Sequence, residues 1–305
     1  MSENSRRDFL KQLSITTAAT VGLSSINANA KEFNTKDAMG VLVDVGVCVG
    51  CRNCERACQE AHNLPTQDPE SYHNREVFKE FRRPDTHSLT VVNQFDNPNN
   101  KLIPYDVKYQ CMHCNEPACV SACIVGAFTK HKNGAVTWDT DKCIGCRYCM
   151  VACPFQIPTF EYDKALQPRI MKCDFCFERT KEGLLPACVA NCPVEAITYG
   201  PRDEILQLAK KRIKRNPEKY IQKIFGEDEV GGTSWLYIAP VDFEKLMFPK
   251  LGDQPAPGVT EAIQHGIFSY FIPPLALFGW LGGVMWLSKR KKELLTEENN
   301  EEENK

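Results

Sequence analysis

The sequence lacks the residue patterns that mark a site for making or breaking covalent bonds. It has no Ser-His-Asp constellation, no paired carboxylates and no phosphate-binding loop. The glycines of "EVGGTSWLYI", Gly231 and Gly232, precede a predicted strand with no helix after it, which argues against a dinucleotide site. These absences predict a chain that is not an enzyme by itself.

The sequence also lacks a large net charge of either sign. Lysine and arginine number 37 and aspartate and glutamate 39, so the formal net charge is -2 at pH 7. A protein that binds nucleic acid is normally clearly basic, and we therefore exclude that class of partner. With 43% hydrophobic and 25% charged residues, the 305 residues can bury one large core or two ordinary ones.

Cysteine is what the sequence has in abundance. The 16 cysteines fall into four sets of four, and none is left over. The first and third sets share the spacing C-x2-C-x2-C-x3-C, whereas the second and fourth have longer middle gaps. Set one is Cys48, Cys51, Cys54 and Cys58; set two is Cys111, Cys114, Cys119 and Cys123; set three is Cys143, Cys146, Cys149 and Cys153; set four is Cys173, Cys176, Cys188 and Cys192.

The spacing of the first and third sets is that of bacterial ferredoxins, which bind [4Fe–4S] clusters. In that motif three closely spaced thiolates wrap one cluster and the fourth cysteine binds a different one. Small residues at Gly50 and Gly145 let the backbone approach a cluster closely. Cys153 and Cys192 each precede a proline, as in the full motif, but the last cysteines of the other two sets do not. We predict iron bound by all sixteen cysteines as four [4Fe–4S] clusters.

Zinc and disulfides are the alternatives to iron. Structural zinc sites also use C-x2-C pairs, but they separate two pairs by a longer loop, and here further cysteines follow at once. Cysteines two residues apart on a tight loop rarely reach disulfide geometry. His113, inside "CMHC", is not expected to be a ligand because cysteine already supplies four ligands in that set.

The four sets form an internal repeat. "CVGCRNCERAC" parallels "CIGCRYCMVAC", and "PACVSACIVGA" parallels "PACVANCPVEA". We predict an α+β fold: a duplicated two-cluster ferredoxin-like domain over residues 40–200, with a β-rich insert over 59–110. Strands are expected in "SLTVVNQF", "VKYQC", "AVTWD" and "AITYG". A C-terminal extension over 201–262 begins with "RDEILQLAKKRIKRN", which has the pattern of a surface helix.

The N-terminus has the features of an export signal. "SRRDFLKQ" is followed by the weakly apolar "SITTAATVGLSSIN" and then by "ANA", a small-residue cleavage site. The adjacent arginines resemble the twin-arginine type, which carries folded proteins across the bacterial inner membrane, and we assign residues 1–30 to it. A chain that acquires clusters in the reducing cytoplasm needs such a route.

The C-terminus carries an uncharged apolar segment. Residues 267–287, "IFSYFIPPLALFGWLGGVMWL", have membrane-spanning length, and "SKRKK" opens the polar tail at 288–305. The basic residues are expected to stay in the cytoplasm, which puts the cluster domain on the periplasmic side. We predict one C-terminal transmembrane helix, kinked at Pro273-Pro274.

Four ferredoxin motifs together with a signal and a tail anchor resemble a known family, the HybA-like four-cluster electron-transfer subunits. The resemblance includes "GGTSWLYIAPVDFEKLMFP" after the last set. It implies that set one pairs with set four and set two with set three. The implied ligands are, for cluster one, Cys48, Cys51, Cys54 and Cys192; for cluster two, Cys173, Cys176, Cys188 and Cys58; for cluster three, Cys111, Cys114, Cys119 and Cys153; for cluster four, Cys143, Cys146, Cys149 and Cys123.

The resemblance also implies partners. Such subunits carry electrons between a catalytic subunit and an integral quinone-interacting protein of the NrfD/HybB type. A nickel–iron hydrogenase is our first choice of catalytic partner. The alternatives are formate dehydrogenase, a sulfur-compound reductase or a multihaem cytochrome complex. A secreted structural metal-binding module is the alternative of another class, and it would show no reversible reduction in its visible spectrum.

Overall fold

The computed structural model describes residues 37–98, 100, 102–258, 261 and 274–290. The predicted signal at 1–30 lies outside these residues. So do positions 267–273 of the predicted membrane segment and 291–305 of the polar tail.

Short strands and helices alternate along this part of the chain. The strands are β1 (Met39–Asp44), β2 (Val91–Phe95), β3 (Tyr105–Tyr109), β4 (Phe128–Lys130), β5 (Val136–Trp138), β6 (Thr159–Phe160), β7 (Ile170–Met171), β8 (Ile197–Pro201) and β9 (Trp235–Ile238). The α-helices are α1 (Asn53–Ala61), α2 (Ala118–Ser121), α3 (Tyr148–Ala152), α4 (Phe177–Lys181), α5 (Ala187–Ala190), α6 (Arg202–Arg215) and α7 (274–290).

A three-stranded sheet lies at the centre of the fold. Strand β1 occupies its middle, antiparallel to β8 and parallel to β9. The run "MGVLVD" is apolar up to its last residue, Asp44, because both faces of this strand are covered. Val41 and Val43 face the core that contains many of the cysteines, whereas Leu42 faces a second core under α6.

Helix α6 covers the second face of the sheet. Ile205, Ala209 and Ile213 are buried there against Leu42. Their spacing of four residues places them on one side of a helix. The first turn is acidic and the last is basic, which complements the helix dipole. The surface helix expected from "RDEILQLAKKRIKRN" is therefore present.

Three two-stranded hairpins complete the strands. β2 pairs with β3, β4 with β5, and β6 with β7, all antiparallel. The strands expected in "SLTVVNQF", "VKYQC", "AVTWD" and "AITYG" correspond to β2, β3, β5 and β8. Two short 3-10 helices, Pro69–His73 and Arg75–Lys79, also lie within the insert, where the sequence predicts only strands.

The short helices that carry cysteines pack in two pairs. α1 of set one contacts α5 of set four, and α2 of set two contacts α3 of set three. Each pair therefore brings together segments that are far apart in the sequence.

The C-terminal helix α7 has exposed apolar side chains, among them Leu275, Phe278 and Trp286. Within the part of the chain that the structure describes, no helix is both long enough and apolar enough to cross a membrane. Positions 274–287 of the predicted transmembrane helix belong to α7, and the mixed α and β content agrees with the predicted fold class.

Candidate iron–sulfur centres

The structure gathers the cysteine thiols into four spatial groups, each with three members of one set and one member of another. All sixteen thiols are free of disulfides. We call the groups quartets. The first is Cys48, Cys51, Cys54 and Cys192; the second is Cys58, Cys173, Cys176 and Cys188; the third is Cys111, Cys114, Cys119 and Cys153; the fourth is Cys123, Cys143, Cys146 and Cys149.

The four thiols of the first quartet line one small cavity. Apolar side chains, including Val43 and Val92, form much of the remaining wall, together with Lys108. Burial raises the pKa of Cys48 to about 12, and a backbone hydrogen bond from Gly50 opposes the rise. The sulfurs converge on one space, where Cys54 is buried and the other three cysteines are half-buried.

The second quartet is the most deeply placed. All four of its cysteines are buried. Burial raises the pKa of Cys58 well above its usual value, and the nearby thiols of Cys173, Cys188 and Cys176 add to this rise. The amide of Phe175 donates to Cys173 Sγ over 3.4 Å.

The four thiols of the third quartet also line one small cavity. Burial raises the pKa of Cys114 well above its ordinary range, and the charges of Cys153 and Cys111 act in the same direction. Burial also raises the pKa of Cys153 to about 11, although backbone amides after it lower it in part. Lys172 contributes to the cavity wall.

The fourth quartet is the nearest to solvent. Cys146 is exposed, Cys143 and Cys123 are half-buried, and Cys149 is buried. Burial raises the pKa of Cys149 to about 12, and the charges of the other three thiols contribute to this rise to a smaller extent. The amide of Ala127 donates to Cys123 Sγ over 3.2 Å.

The same backbone conformation recurs in the two sets with ferredoxin spacing. In set one Gly50 has φ 65° and Arg52 φ 59°, and in set three Gly145 has φ 69° and Arg147 φ 61°. Glycine adopts this left-handed region at no steric cost, whereas arginine does so only where its surroundings enforce it. The repeat seen in the sequence is therefore also a repeat of loop geometry.

The quartets follow one another in a definite order. Cys188 in the second quartet lies close enough to Cys54 in the first to raise the pKa of Cys54. Cys111 in the third quartet likewise raises the pKa of Cys173 in the second. Cys149 in the fourth quartet raises the pKa of Cys119 in the third.

These donors fit [4Fe–4S] clusters. Each quartet offers four convergent sulfurs, which is the ligand number that such clusters require. Backbone amides point at several of the sulfurs. Burial raises the pKa of many of these thiols, so a bound metal that displaces their protons would supply the missing positive charge.

Comparison with known proteins supports the same chemistry. The model of the 4Fe-4S dicluster domain family matches residues 104–202. A protein of Nitratidesulfovibrio vulgaris (strain Hildenborough) is 41% identical over 304 residues, covering 97% of this chain and 80% of that protein. Hydrogenase-2 operon protein HybA of Escherichia coli O157:H7 is 34% identical over 319 residues, covering 93% of this chain and 95% of that protein. The chain belongs to the HybA-like family of iron–sulfur proteins.

The family resemblance inferred from the motifs is thus confirmed, and so are [4Fe–4S] clusters as the cofactors. The nitrate-inducible formate dehydrogenase iron-sulfur subunit of Escherichia coli K12 is a more distant relative. It is 29% identical over 262 residues, covering 85% of this chain and 86% of that protein. A hydrogenase-2 operon protein and a formate dehydrogenase iron-sulfur subunit are therefore both related to this HybA-like chain.

Two buried lysines lie among the quartets, and sequence reasoning missed both. Lys108 is 2% exposed and Lys172 is 7% exposed. Burial lowers the pKa of each ammonium, but the surrounding thiols raise it by more, so both lysines have a pKa above the usual value. The only hint in the sequence was that Lys172 directly precedes Cys173.

His113 stays outside the quartets, as predicted, but it is buried. Its Nδ1 accepts a hydrogen bond of 2.9 Å from the amide of Val136. Burial, together with the charges of Lys172 and Lys130, holds its pKa well below the usual value. A neutral imidazole therefore packs beside the third quartet.

A second histidine joins sets one and four. His62 Nε2 lies 2.8 Å from Asp174 Oδ1, and its Nδ1 lies 2.8 Å from the carbonyl oxygen of Cys58. Asp174 sits between Cys173 and Cys176 in the sequence. The imidazole thus holds the end of α1 against the loop of set four.

A buried carboxylate ties α1 to the insert. Glu55 is 2% exposed and accepts hydrogen bonds on both oxygens. Arg52 donates to Oε2 through Nε over 3.1 Å and Nη2 over 2.8 Å. Arg82 Nη2 and the amide of Val92 each donate to Oε1 over 2.6 Å. Glu55, which follows Cys54 on α1, is thereby fixed to β2.

Proposed function

We propose that this chain is a non-catalytic electron-transfer subunit that links a nickel–iron hydrogenase to an integral quinone-interacting protein of the NrfD/HybB type. The observation that carries the proposal is the order of the four quartets, which places the first and fourth at opposite ends of a series. When bound, [4Fe–4S] clusters supply one-electron carriers along that series. The residues between the quartets exclude water and fix the spacing.

We assign the ligands of each cluster to the members of one quartet. The two cavities lined by four thiols each support the assignment for the first and third quartets. The contacts of α1 with α5 and of α2 with α3 support exchange of the fourth cysteine between sets one and four and between sets two and three. A Cys192→Ser variant should lose the first cluster and keep the third and fourth, with Ser121→Ala as a control that keeps all four.

The exposed fourth quartet favours a role as one terminus. Ile144, Val151 and Ile124 are exposed by 61%, 81% and 64% on or beside its loops. Apolar side chains around an exposed ligand are suited to a protein partner that would exclude water from the site. We therefore propose that one of the two partners, the hydrogenase or the quinone-interacting protein, docks at the fourth quartet.

We place the cluster-bearing domain on the periplasmic side of the bacterial inner membrane. The twin arginines Arg6-Arg7 and the apolar segment 267–287 support export and membrane attachment. Replacing both arginines by lysine keeps the charge and should leave the protein in the cytoplasm. A variant with Lys11 replaced by arginine should still be exported.

The decisive experiment is purification from detergent-solubilised membranes under argon. We expect a hydrogenase subunit and a quinone-interacting membrane protein to co-purify, and we expect hydrogen gas alone to bleach the cluster absorption. If formate rather than hydrogen reduces the clusters, the second candidate partner replaces the first. The 29% identity to a formate dehydrogenase iron-sulfur subunit favours that candidate. A chain without reversible reduction would refute both.

A further inference from the structure

Lys108 and Lys172 lie at the first two of the three junctions in the series of quartets. Lys108 lines the first cavity beside Cys48, Cys51, Cys54 and Cys192. The charges of Cys188, Cys173 and Cys58 in the second quartet also act on its ammonium. It therefore stands between the first and second quartets.

Lys172 occupies the equivalent place at the next junction. It lines the third cavity beside Cys111, Cys114, Cys119 and Cys153. Its Nζ donates to the carbonyl oxygen of Cys173 in the second quartet over 2.9 Å, and it also donates to the carbonyl oxygen of Val136. Lys172 thus stands between the second and third quartets.

Both ammonium groups are held by uncharged partners. Lys108 Nζ donates to Gln110 Oε1 over 2.8 Å and lies 4.4 Å from the centre of the Trp235 ring. Gln110 is fixed in turn by the hydroxyl of Tyr237, which donates to the Lys108 carbonyl. Since amide, carbonyl and indole groups carry no net charge, they orient the ammonium without cancelling its charge.

The third junction differs. Among the described residues, the cavities that Lys108 and Lys172 line are formed by thiols of the first and third quartets and by none of the fourth. These two buried ammonium groups thus lie at the first three quartets.

We propose that Lys108 and Lys172 raise the reduction potentials of the first three clusters relative to the fourth. A [4Fe–4S] core bound by four thiolates is negative and becomes more negative when it gains an electron. A nearby fixed positive charge stabilises the reduced state more than the oxidised one. The inference rests on the ligand assignment proposed above.

The size of the effect follows from Coulomb's law. With an effective dielectric constant of about 20, a unit charge within about 12 Å changes the energy of an added electron by about 1.4 kcal/mol or more. This corresponds to at least a tenfold change in the ratio of reduced to oxidised cluster at a fixed ambient potential, or about 59 mV for one electron. Residues that line the cavity of a quartet lie inside such a distance.

The test is a potentiometric titration of the full-length protein, followed by electron paramagnetic resonance, with Lys108→Met and Lys172→Met variants. Each variant should lower the potentials of two of the four clusters by at least the shift given above. One cluster, that of the second quartet, should move in both variants and further in the double variant. Lys211, exposed on α6, provides the control: Lys211→Met should move none.

Lys108→Arg and Lys172→Arg keep the positive charge, so the cluster reduction potentials of these variants should stay at the wild-type values. If a methionine variant fails to retain iron, Lys108→Gln and Lys172→Gln are compared with the arginine variants in the same titration. Unchanged potentials in iron-replete neutral variants would overturn the inference, as would an equal shift of all four clusters. Wild-type protein without cluster signals would instead overturn the proposed function, and the inference with it.

Discussion

Replacing Glu55 by glutamine tests whether the buried carboxylate on α1 holds the first quartet in place. The change keeps the size of the side chain and replaces one acceptor oxygen by an NH2 donor. Oε1 of Glu55 accepts from two donors and Oε2 from three, so either orientation of the amide leaves at least two donors facing another donor. Arg52, 4% exposed, would then be a buried cation without its counter-charge.

The cost can be estimated from these contacts. A hydrogen bond to a charged group contributes about 1.5–3 kcal/mol, and two such bonds are lost. Breaking one partner of a buried ion pair costs about 3–5 kcal/mol, which agrees with that sum. At roughly 2 °C per kcal/mol for a chain of this size, we expect the unfolding midpoint to fall by about 6 °C or more.

The assay is the thermal loss of the visible cluster absorption under argon, with all variants heated at the same rate because the loss is irreversible. Glu60→Gln is the matched control. Glu60 lies on the same helix, its side chain is 58% exposed, and its contact with Arg56 spans 3.7 Å. That variant should stay within about 0.5 kcal/mol of wild type. Equal midpoints for the two variants would refute the reasoning.

Three further predictions concern other parts of the fold. Gly50→Ala should destabilise the protein by about 2 kcal/mol or more, and Gly145→Ala by about 1 kcal/mol. Both glycines have positive φ, but only at Gly50 would a Cβ meet a side-chain carbon at 2.5 Å. The temperatures at which the two variants release iron give the comparison, and equal midpoints would contradict it. Tyr220→Phe should cost about 1.5–3 kcal/mol, since its hydroxyl donates to buried Asp44 over 3.0 Å, and the urea midpoint measures the loss. The pKa of Glu161 is lowered to about 2, chiefly by a hydrogen bond from an arginine, so its stabilisation of the β6–β7 hairpin is complete above about pH 4.5 and is lost as the pH falls towards 2. Amide hydrogen exchange of that hairpin should show this trend, and Glu161→Gln should abolish it.

The local features of the fold could be predicted because short-range patterns determine them. The cysteine spacing identifies the cluster loops, and the apolar positions of "RDEILQLAKKRIKRN" identify α6. The two 3-10 helices of the insert carry no comparable pattern. Each is only five residues long and is started by a side chain, Asp68 or Asn74, that accepts from an amide two residues later.

The buried lysines were missed for a different reason. A lysine in a short strand such as "YDVKY" is expected at the surface, because burial of an ammonium is costly. Lys108 is buried because thiols from sets one and four surround it, and these segments are distant in the sequence. Only the three-dimensional arrangement shows that the cost is offset.

The position of β1 between β8 and β9 has a consequence for how the protein is made. The ribosome releases this strand early, but its two neighbours come from the far end of the chain. At about 5–20 residues per second, roughly 10–40 seconds separate β1 from the emergence of β9. The central strand must wait all that time without partners, and a nascent chain cut short before β9 can never complete the sheet. A finished sheet thus shows that translation has passed Ile238, the last residue of β9.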